Sequence, residues 1–288
     1  MQHMEDFNTI AEDLLQEQKP VLSIATEEAW DLRGQVWSRT AGSLASDGVY
    51  MKTELTIDGT DYYLKLSRYD SYRGIYGHES VNELIACRLG KLLGFSVPEG
   101  TLRRCLVRID DKDHDTYVFV AKSYKTTGSR VAFEDFYVDN RLSDKESPLD
   151  LCKRFGWTDY IYKMFVFDYL IINRDRHGAN LEVMKNGDKR LSPLLDNGLS
   201  FVCSCTDESE LASFDIAEDR SVNNFIGEKR LEANLDKIDK KIEFDELKEP
   251  IIDRLLEGLH GVLPDGFLTK IREIIWRRWQ NVAQFRSL

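Results

Sequence analysis

The run Asp168-Tyr-Leu-Ile-Ile-Asn-Arg-Asp-Arg-His-Gly-Ala-Asn180, followed by Pro193-Leu-Leu-Asp-Asn-Gly198, leaves fewer folds open than any other part of this sequence. It reads as an apolar helix over 161–172 that runs into a polar loop. A short strand at 181–184 follows, then a turn at Asn186-Gly187, then Leu194-Leu195 delivering an acid, Asp196. Asp175 and Asn180 carry the Asp-x-x-x-x-Asn spacing that phosphoryl transfer uses for a base and a metal-holding amide, and Asp196 stands where a second metal-holding group would follow. Such a reaction asks a protein mainly for positioning and charge neutralisation. Mg²⁺ is a hard cation that keeps several waters, so one amide and one carboxylate suffice beside nucleotide phosphates. Asp and Asn also serve as ordinary loop and turn residues, and Asn197-Gly198 is a common turn dipeptide. The order of elements around them favours the catalytic reading.

With 288 residues the chain is long enough for one large or two moderate domains with a real core. Its 39 basic against 50 acidic residues give a net charge of −11, which argues against a broad nucleic-acid or anionic-membrane footprint. Five cysteines without framework spacing fit a reducing, cytoplasmic compartment, and Cys203-Ser-Cys205 alone is a poor zinc signature. The acidic start, Met1 to Gln18, lacks the basic and continuous apolar parts of a signal peptide. The most apolar segment is interrupted by Lys163 and Asp168 and is too short to span a bilayer.

The first part of the chain is rich in strand patterns. Residues 50–57 and 61–66 flank a turn at Asp58-Gly59, a hairpin signature. Ser80 to Leu93 reads as a helix with Val81, Leu84, Ile85, Leu89, Leu92 and Leu93 on one face, Ser80 and Glu83 in capping-box spacing, and Gly94 as its stop. Strands follow at 102–109 and 116–121 around an acidic turn at 110–115. Residues 133–148 read as a polar connector and 206–210 as a mobile acidic run. Residues 250–263 and 267–285 read as terminal helices, with Trp276 and Trp279 as packing residues. The expected architecture is α+β and bilobal, a β-rich lobe over 1–125 and a mainly helical lobe over 126–288.

In the first lobe, Lys65 alternates with Leu64 and Leu66 and so points to the opposite sheet face, into a cleft or out to solvent. Glu83 is its natural partner across the following helix. The loop Gly42-Ser-Leu-Ala-Ser-Asp-Gly48, which includes Ser43, Ser46 and Gly48, is small enough for backbone amides to approach phosphate oxygens. No Walker-type P-loop or Gly-x-Gly-x-x-Gly sequence is present.

These residues resemble the HipA family of bacterial kinases and its shorter CtkA-type relatives, over roughly residues 40 to 200. The likeness is carried by Asn173-Arg-Asp-Arg-His-Gly-Ala-Asn180, Leu195-Asp-Asn-Gly198, Val81-Asn-Glu83 and Gly94-Phe-Ser-Val-Pro98. The stretch from Ser43 to Lys52 is similar to that family's Ser-Leu-Ala-Gly-Val-Gln-Pro-Lys-like phosphate loop, with two extra residues and with Tyr50 and Met51 in place of the usual pair. The resemblance implies a protein-kinase-like fold and an ATP- and Mg²⁺-dependent serine/threonine kinase. It further implies Lys65 paired with Glu83, an adenine hinge at Ala121, Lys122 and Tyr124, Asp175 as base, and Asn180 and Asp196 as metal ligands. His177 would either hydrogen-bond the γ-phosphate or support the loop. The family often phosphorylates a serine in its phosphate loop, which points to Ser43 and Ser46, and its partners include an antitoxin-like DNA-binding protein beside a protein substrate. A small-molecule or phosphoinositide acceptor, and a nucleotide-binding pseudokinase or interaction module, are the competing readings.

Overall fold

The computed structural model describes residues 24–39, 50–123, 130–185, 189–239, 242–243 and 247–286. Among them the first half builds one five-stranded sheet from β1 (Ile24–Leu32), β2 (Lys52–Ile57), β3 (Thr60–Lys65), β6 (Gly100–Ile109) and β7 (Lys112–Lys122). The spatial order is β1-β6-β7-β3-β2, with β1 parallel to β6 and the remaining pairs antiparallel. A small ribbon of β4 (Arg68–Asp70) and β5 (Gly74–Tyr76) lies between β3 and the first helix. The β2–β3 turn has φ of 47° at Asp58 and 74° at Gly59, the left-handed pair that a tight hairpin needs. The β6–β7 turn is shorter than the sequence suggests. Asp110 and Asp111 take φ of 49° and 60°, and pairing resumes at Lys112, because Asp tolerates the left-handed region and the strands gain their ladder bonds early.

The helix α1 (Glu79–Leu92) ends as expected. Gly94 has φ of 76°, its amide donates to the Lys91 carbonyl at 3.2 Å, and the Phe95 amide donates to the Gly90 carbonyl at 2.8 Å, the double closure of a Schellman end. Its start differs from the expected capping box. His78 occupies the N-cap position without a side-chain cap bond, and Ser80 lies inside the helix. The hydroxyl of Ser67, just past β3, accepts from the Ser80 amide at 3.1 Å, so a neighbouring segment caps the helix. That leaves Glu83 available for other work.

The sheet's two faces are buried differently. Leu64, Leu66, Val118, Val120, Cys105 and Val107 join Trp30 and Leu32 in one cluster. Leu102, Phe119 and Ala121 pack with α1 and the helical half in a second, larger one. Lys65 therefore lies on the face turned to α1.

The second half is mainly helical. Where the sequence reads as a polar connector, the chain forms β8 (Arg130–Ala132) and the helix α2 (Phe133–Asn140). Phe133 and Phe136 are fully buried there, and both pack on Trp157. After α3 (Pro148–Arg154), the helix α4 (Thr158–Ile171) forms the centre of the core and ends at Ile172 with φ of 53°. The loop beyond it carries β9 (Asp175–Arg176), a 3-10 turn at Gly178–Asn180, β10 (Glu182–Met184) and β11 (Arg190–Leu191). The Asn186-Gly187 turn lies outside the described residues, and residues 192–199 are irregular. The supposedly mobile acidic run instead starts α5 (Glu208–Ser213), because Asp207 accepts the Ser209 and Glu210 amides, each at 2.9 Å. A two-residue strand, β12 (Asn223–Asn224), pairs in parallel with β9. Then come α6 (Leu231–Leu235), α7 (Glu249–Leu255) and α8 (Asp265–Arg286). Trp279 is buried and Trp276 half-buried against the core, as packing residues. No helix among the described residues is long and apolar enough to cross a membrane.

Candidate functional site

The end of β3 carries Lys65 to the inner face of the sheet, where it is 1% exposed. Its Nζ donates to Glu83 Oε1 of α1 at 2.5 Å and also to Asp196 Oδ1, so one ammonium joins both halves of the chain. The other Glu83 oxygen accepts the Asn197 amide at 2.9 Å, which pins the residue beside Asp196 to α1. Asn82 on the same helix donates to the carbonyls of Gly198 and Ser200, both at 3.0 Å. Asp196 itself takes the left-handed backbone, with φ of 59°, a conformation an Asp side chain tolerates and a tight turn at a site can require.

Charge at this point is tuned by the surroundings. Burial pulls the Lys65 ammonium towards neutrality, but Asp196 and Glu83 together reverse this and hold it well above its ordinary value. Burial likewise pushes the Asp196 carboxyl up, and Lys65, Lys52 and His177 outweigh it and hold it at about 2. Asp196 is thus an ionised carboxylate throughout the neutral range.

Lys52 is a site residue that the sequence reading did not single out. It lies directly opposite Lys65 in the β2–β3 ladder and is 4% exposed, so two lysines share one buried face. The signal was available. Counting outward from the two-residue turn sets Ile57 opposite Thr60, and five steps further places Lys52 opposite Lys65. Beneath Lys65 lies the Tyr50 ring, its centroid 4.6 Å from Nζ.

On the helical side, the loop after α4 is held from within. Arg176 is 1% exposed and its guanidinium bonds Asp168, the Leu195 carbonyl at 2.8 Å and Asn197 Oδ1 at 2.7 Å. It therefore grips both neighbours of Asp196 and makes the loop and the acid one structural unit. Asn173 donates to Asp168 Oδ1 at 2.9 Å and accepts the Asp175 amide at 3.1 Å. Asn180 Nδ2 donates to the Asp175 carbonyl at 2.7 Å, so its amide oxygen is the atom that could serve as a ligand. His177 Nδ1 accepts the Ala179 amide at 3.1 Å, so the proton of the neutral ring sits on Nε2, 3.7 Å from Asp175 Oδ2. His177 thus supports its own loop and also faces the carboxylate. At Gly178 a Cβ would meet the Cβ of Glu134 at 2.6 Å, so α2 packs directly on this loop.

The hinge residues divide. Ala121 is buried opposite Tyr63 and Gly100. The Lys122 amide donates to Glu99 at 3.0 Å and the Ser123 amide to Asp61 at 2.7 Å, so neither is available to a base. Tyr124 and the loop residues Ser43, Ser46 and Gly48 lie outside the described residues. Cys203 and Cys205 are buried thiols, and among the described residues no group of three or more His, Cys, Asp or Glu could hold a metal. An ionised carboxylate at Asp196 and an amide oxygen at Asn180 fit Mg²⁺, which needs few protein ligands.

Comparison with known proteins places the fold. No family model matches the chain, and no curated protein matches it by sequence. Among solved structures, the Helicobacter pylori proinflammatory kinase CtkA superposes with a TM-score of 0.56 at 15% identity, over 90% of this chain and 98% of that one. The chain therefore has a CtkA-like, kinase-like fold. The HipA protein of Shewanella oneidensis MR-1, solved with HipB and operator DNA, aligns at 15% identity with a TM-score of 0.43, over 96% of this chain and 73% of that one.

Proposed function

We propose that this protein is an ATP- and Mg²⁺-dependent phosphotransferase acting on serine or threonine hydroxyls of proteins, itself included. The observation that carries this reading is the buried node in which Lys65 holds Glu83 and Asp196 together while Arg176 ties Asp196 to the loop bearing Asp175 and Asn180. Bound Mg²⁺ and ATP would supply the phosphoryl group and the charge that offsets its oxygens. The chain's own residues do the rest. Lys65 and Lys52 present cations to phosphate oxygens, and Asp196 with the Asn180 amide oxygen would hold the ion. Asp175 orients the acceptor hydroxyl and takes its proton. The two-lobe division near residue 125 follows the change from sheet to helices, although α1 packs with the helical half. An antitoxin-like partner stays with the sequence resemblance, to which the fold adds nothing.

The test is transfer from radiolabelled ATP to protein, lipid and small-molecule acceptors and to the protein itself. We expect label on protein only, and a loss of about 10²- to 10⁴-fold in Asp175→Ala with an unchanged melting temperature. Full activity in that variant sinks the assignment. Label on a lipid or metabolite alone moves the acceptor class, and Mg-ATP stabilisation without turnover makes the protein a nucleotide-binding module. Intact mass after incubation with ATP, in wild type and in Ser43→Ala and Ser46→Ala, assigns any self-modification.

A further inference from the structure

Asp175 is held by more than its own loop. The segment 223–225 lies along that loop in parallel, with Asn223 48 residues beyond Asp175 in the chain. The Asn223 amide donates to the Arg174 carbonyl at 2.8 Å and the Phe225 amide to the Arg176 carbonyl at 3.1 Å, so the strap is stitched on both sides of Asp175. Its own conformation is fixed as well. Asn224 is buried and its Oδ1 accepts the Ile226 and Gly227 amides at 3.0 and 2.8 Å, while the Phe225 ring packs on Phe133 and Tyr137. Between these anchors Asn223 Nδ2 donates to Asp175 Oδ1 at 3.0 Å.

We infer that Asn223 is a positioning residue for Asp175, committing Oδ1 to its amide and presenting Oδ2 as the oxygen that takes the acceptor's proton. The inference rests on the kinase reading above. A free carboxylate has two equivalent oxygens and a broad χ2, so a loop aspartate is badly aimed unless one oxygen is engaged. Asn223 breaks that equivalence with a neutral donor, which leaves the negative charge in place. The His177 ring stands 3.7 Å from Oδ2, too far for a hydrogen bond, so Oδ2 is the oxygen not committed to Asn223. In the transfer step the acceptor O–H bond breaks and its proton passes to Oδ2. The acceptor oxygen bonds phosphorus as the bond to the β-phosphate oxygen breaks, releasing ADP.

Two measurements test this. In the nucleotide-free protein with ¹⁵N-labelled asparagine, the side-chain amide signal of Asn223 should move in Asp175→Ala; an unmoved signal overturns the contact. In turnover, Asn223→Ala should lower kcat about 10-fold, the worth of one charge-assisted hydrogen bond, with KM for ATP unchanged. Asn223→Asp, isosteric but lacking the donor and carrying like charge, should lower kcat further. A strap that served only structure would lower the melting temperature and raise KM in both variants alike, which would overturn the inference. Wild-type kcat in both variants, with Asp175→Ala inactive, would overturn it while the kinase reading stands. Absence of any transfer by the wild type removes both.

Discussion

Two ionic clusters sit a few residues apart in this protein, both buried and built differently. Around Arg176 every strong group is satisfied within the fold. Asp168 accepts from the guanidinium and from Asn173, and the remaining donors reach Leu195 and Asn197. Arg176 and Asp168 are 1% and 2% exposed. Around Lys65 one ammonium faces two carboxylates, a second lysine lies opposite, and the Asp196 side chain keeps 21% exposure. The first cluster is closed, the second open. Burial of charge does not by itself identify a site, since both are buried. What distinguishes a scaffold from a binding centre here is whether the cluster retains a charged group that an incoming ion can still reach.

The largest expected effect tests the closed cluster. Arg176→Met leaves Asp168 uncompensated and should cost about 3–5 kcal/mol in denaturant unfolding. Lys65→Met should cost less stability, because Asp196 can turn to water and Glu83 keeps the Asn197 amide, yet lower phosphoryl transfer about 10²- to 10³-fold by removing a preorganised cation. A Lys65→Met protein less stable than Arg176→Met would erase the distinction between the clusters.

Acid titration sharpens it. Asp196, held at about 2 against an ordinary 3.8, adds stability that is complete above the ordinary value and lost only as pH falls towards 2. Stability lost between pH 6.5 and 4 must come from elsewhere, and His78 is the group expected to supply it. Burial and the nearby Arg68 lower it from 6.5 to about 4, and it is packed edge-on against Phe267. Because the unfolded chain takes up this proton first, the contribution is full above pH 6.5 and disappears through pH 4, worth at most about 3 kcal/mol. His78→Gln should flatten the melting temperature over that interval. A slope identical to wild type would assign the acid sensitivity of that interval to a group other than His78.

Much of this was legible because it is encoded locally. Asp58-Gly59 set the hairpin, Leu64 and Leu66 put Lys65 on the other sheet face without saying whether that face is a cleft or solvent, and Gly94 stopped α1. Three features were not. The Ser80 and Glu83 capping box matched its signature, but a buried ammonium competes for a carboxylate more strongly than a helix amide does. The helix α2 hid behind Glu134, Asp135, Asp139 and Asn140, which mask the spacing of Phe133 and Phe136. Asn223 carried no signal, since its bond to Asp175 depends on a strand pairing between distant segments.

The smallest effect concerns how the open cluster is set. Ser67 follows β3 two residues after Lys65, and its hydroxyl both accepts the Ser80 amide and lies 3.0 Å from the Ser80 hydroxyl. This contact fixes the start of α1 against the end of β3, and thereby the approach of Glu83 to Lys65. Ser67→Ala leaves a buried amide and a buried hydroxyl without that partner and should cost about 1–3 kcal/mol. Ser80→Ala keeps the amide bond and should cost roughly 1 kcal/mol or less. If the open cluster depends on this brace, Ser67→Ala also lowers transfer by a few-fold while Ser80→Ala does not. Equal activity in the two variants would mean that Lys65 and Glu83 find each other through their own attraction, with the brace serving the helix alone.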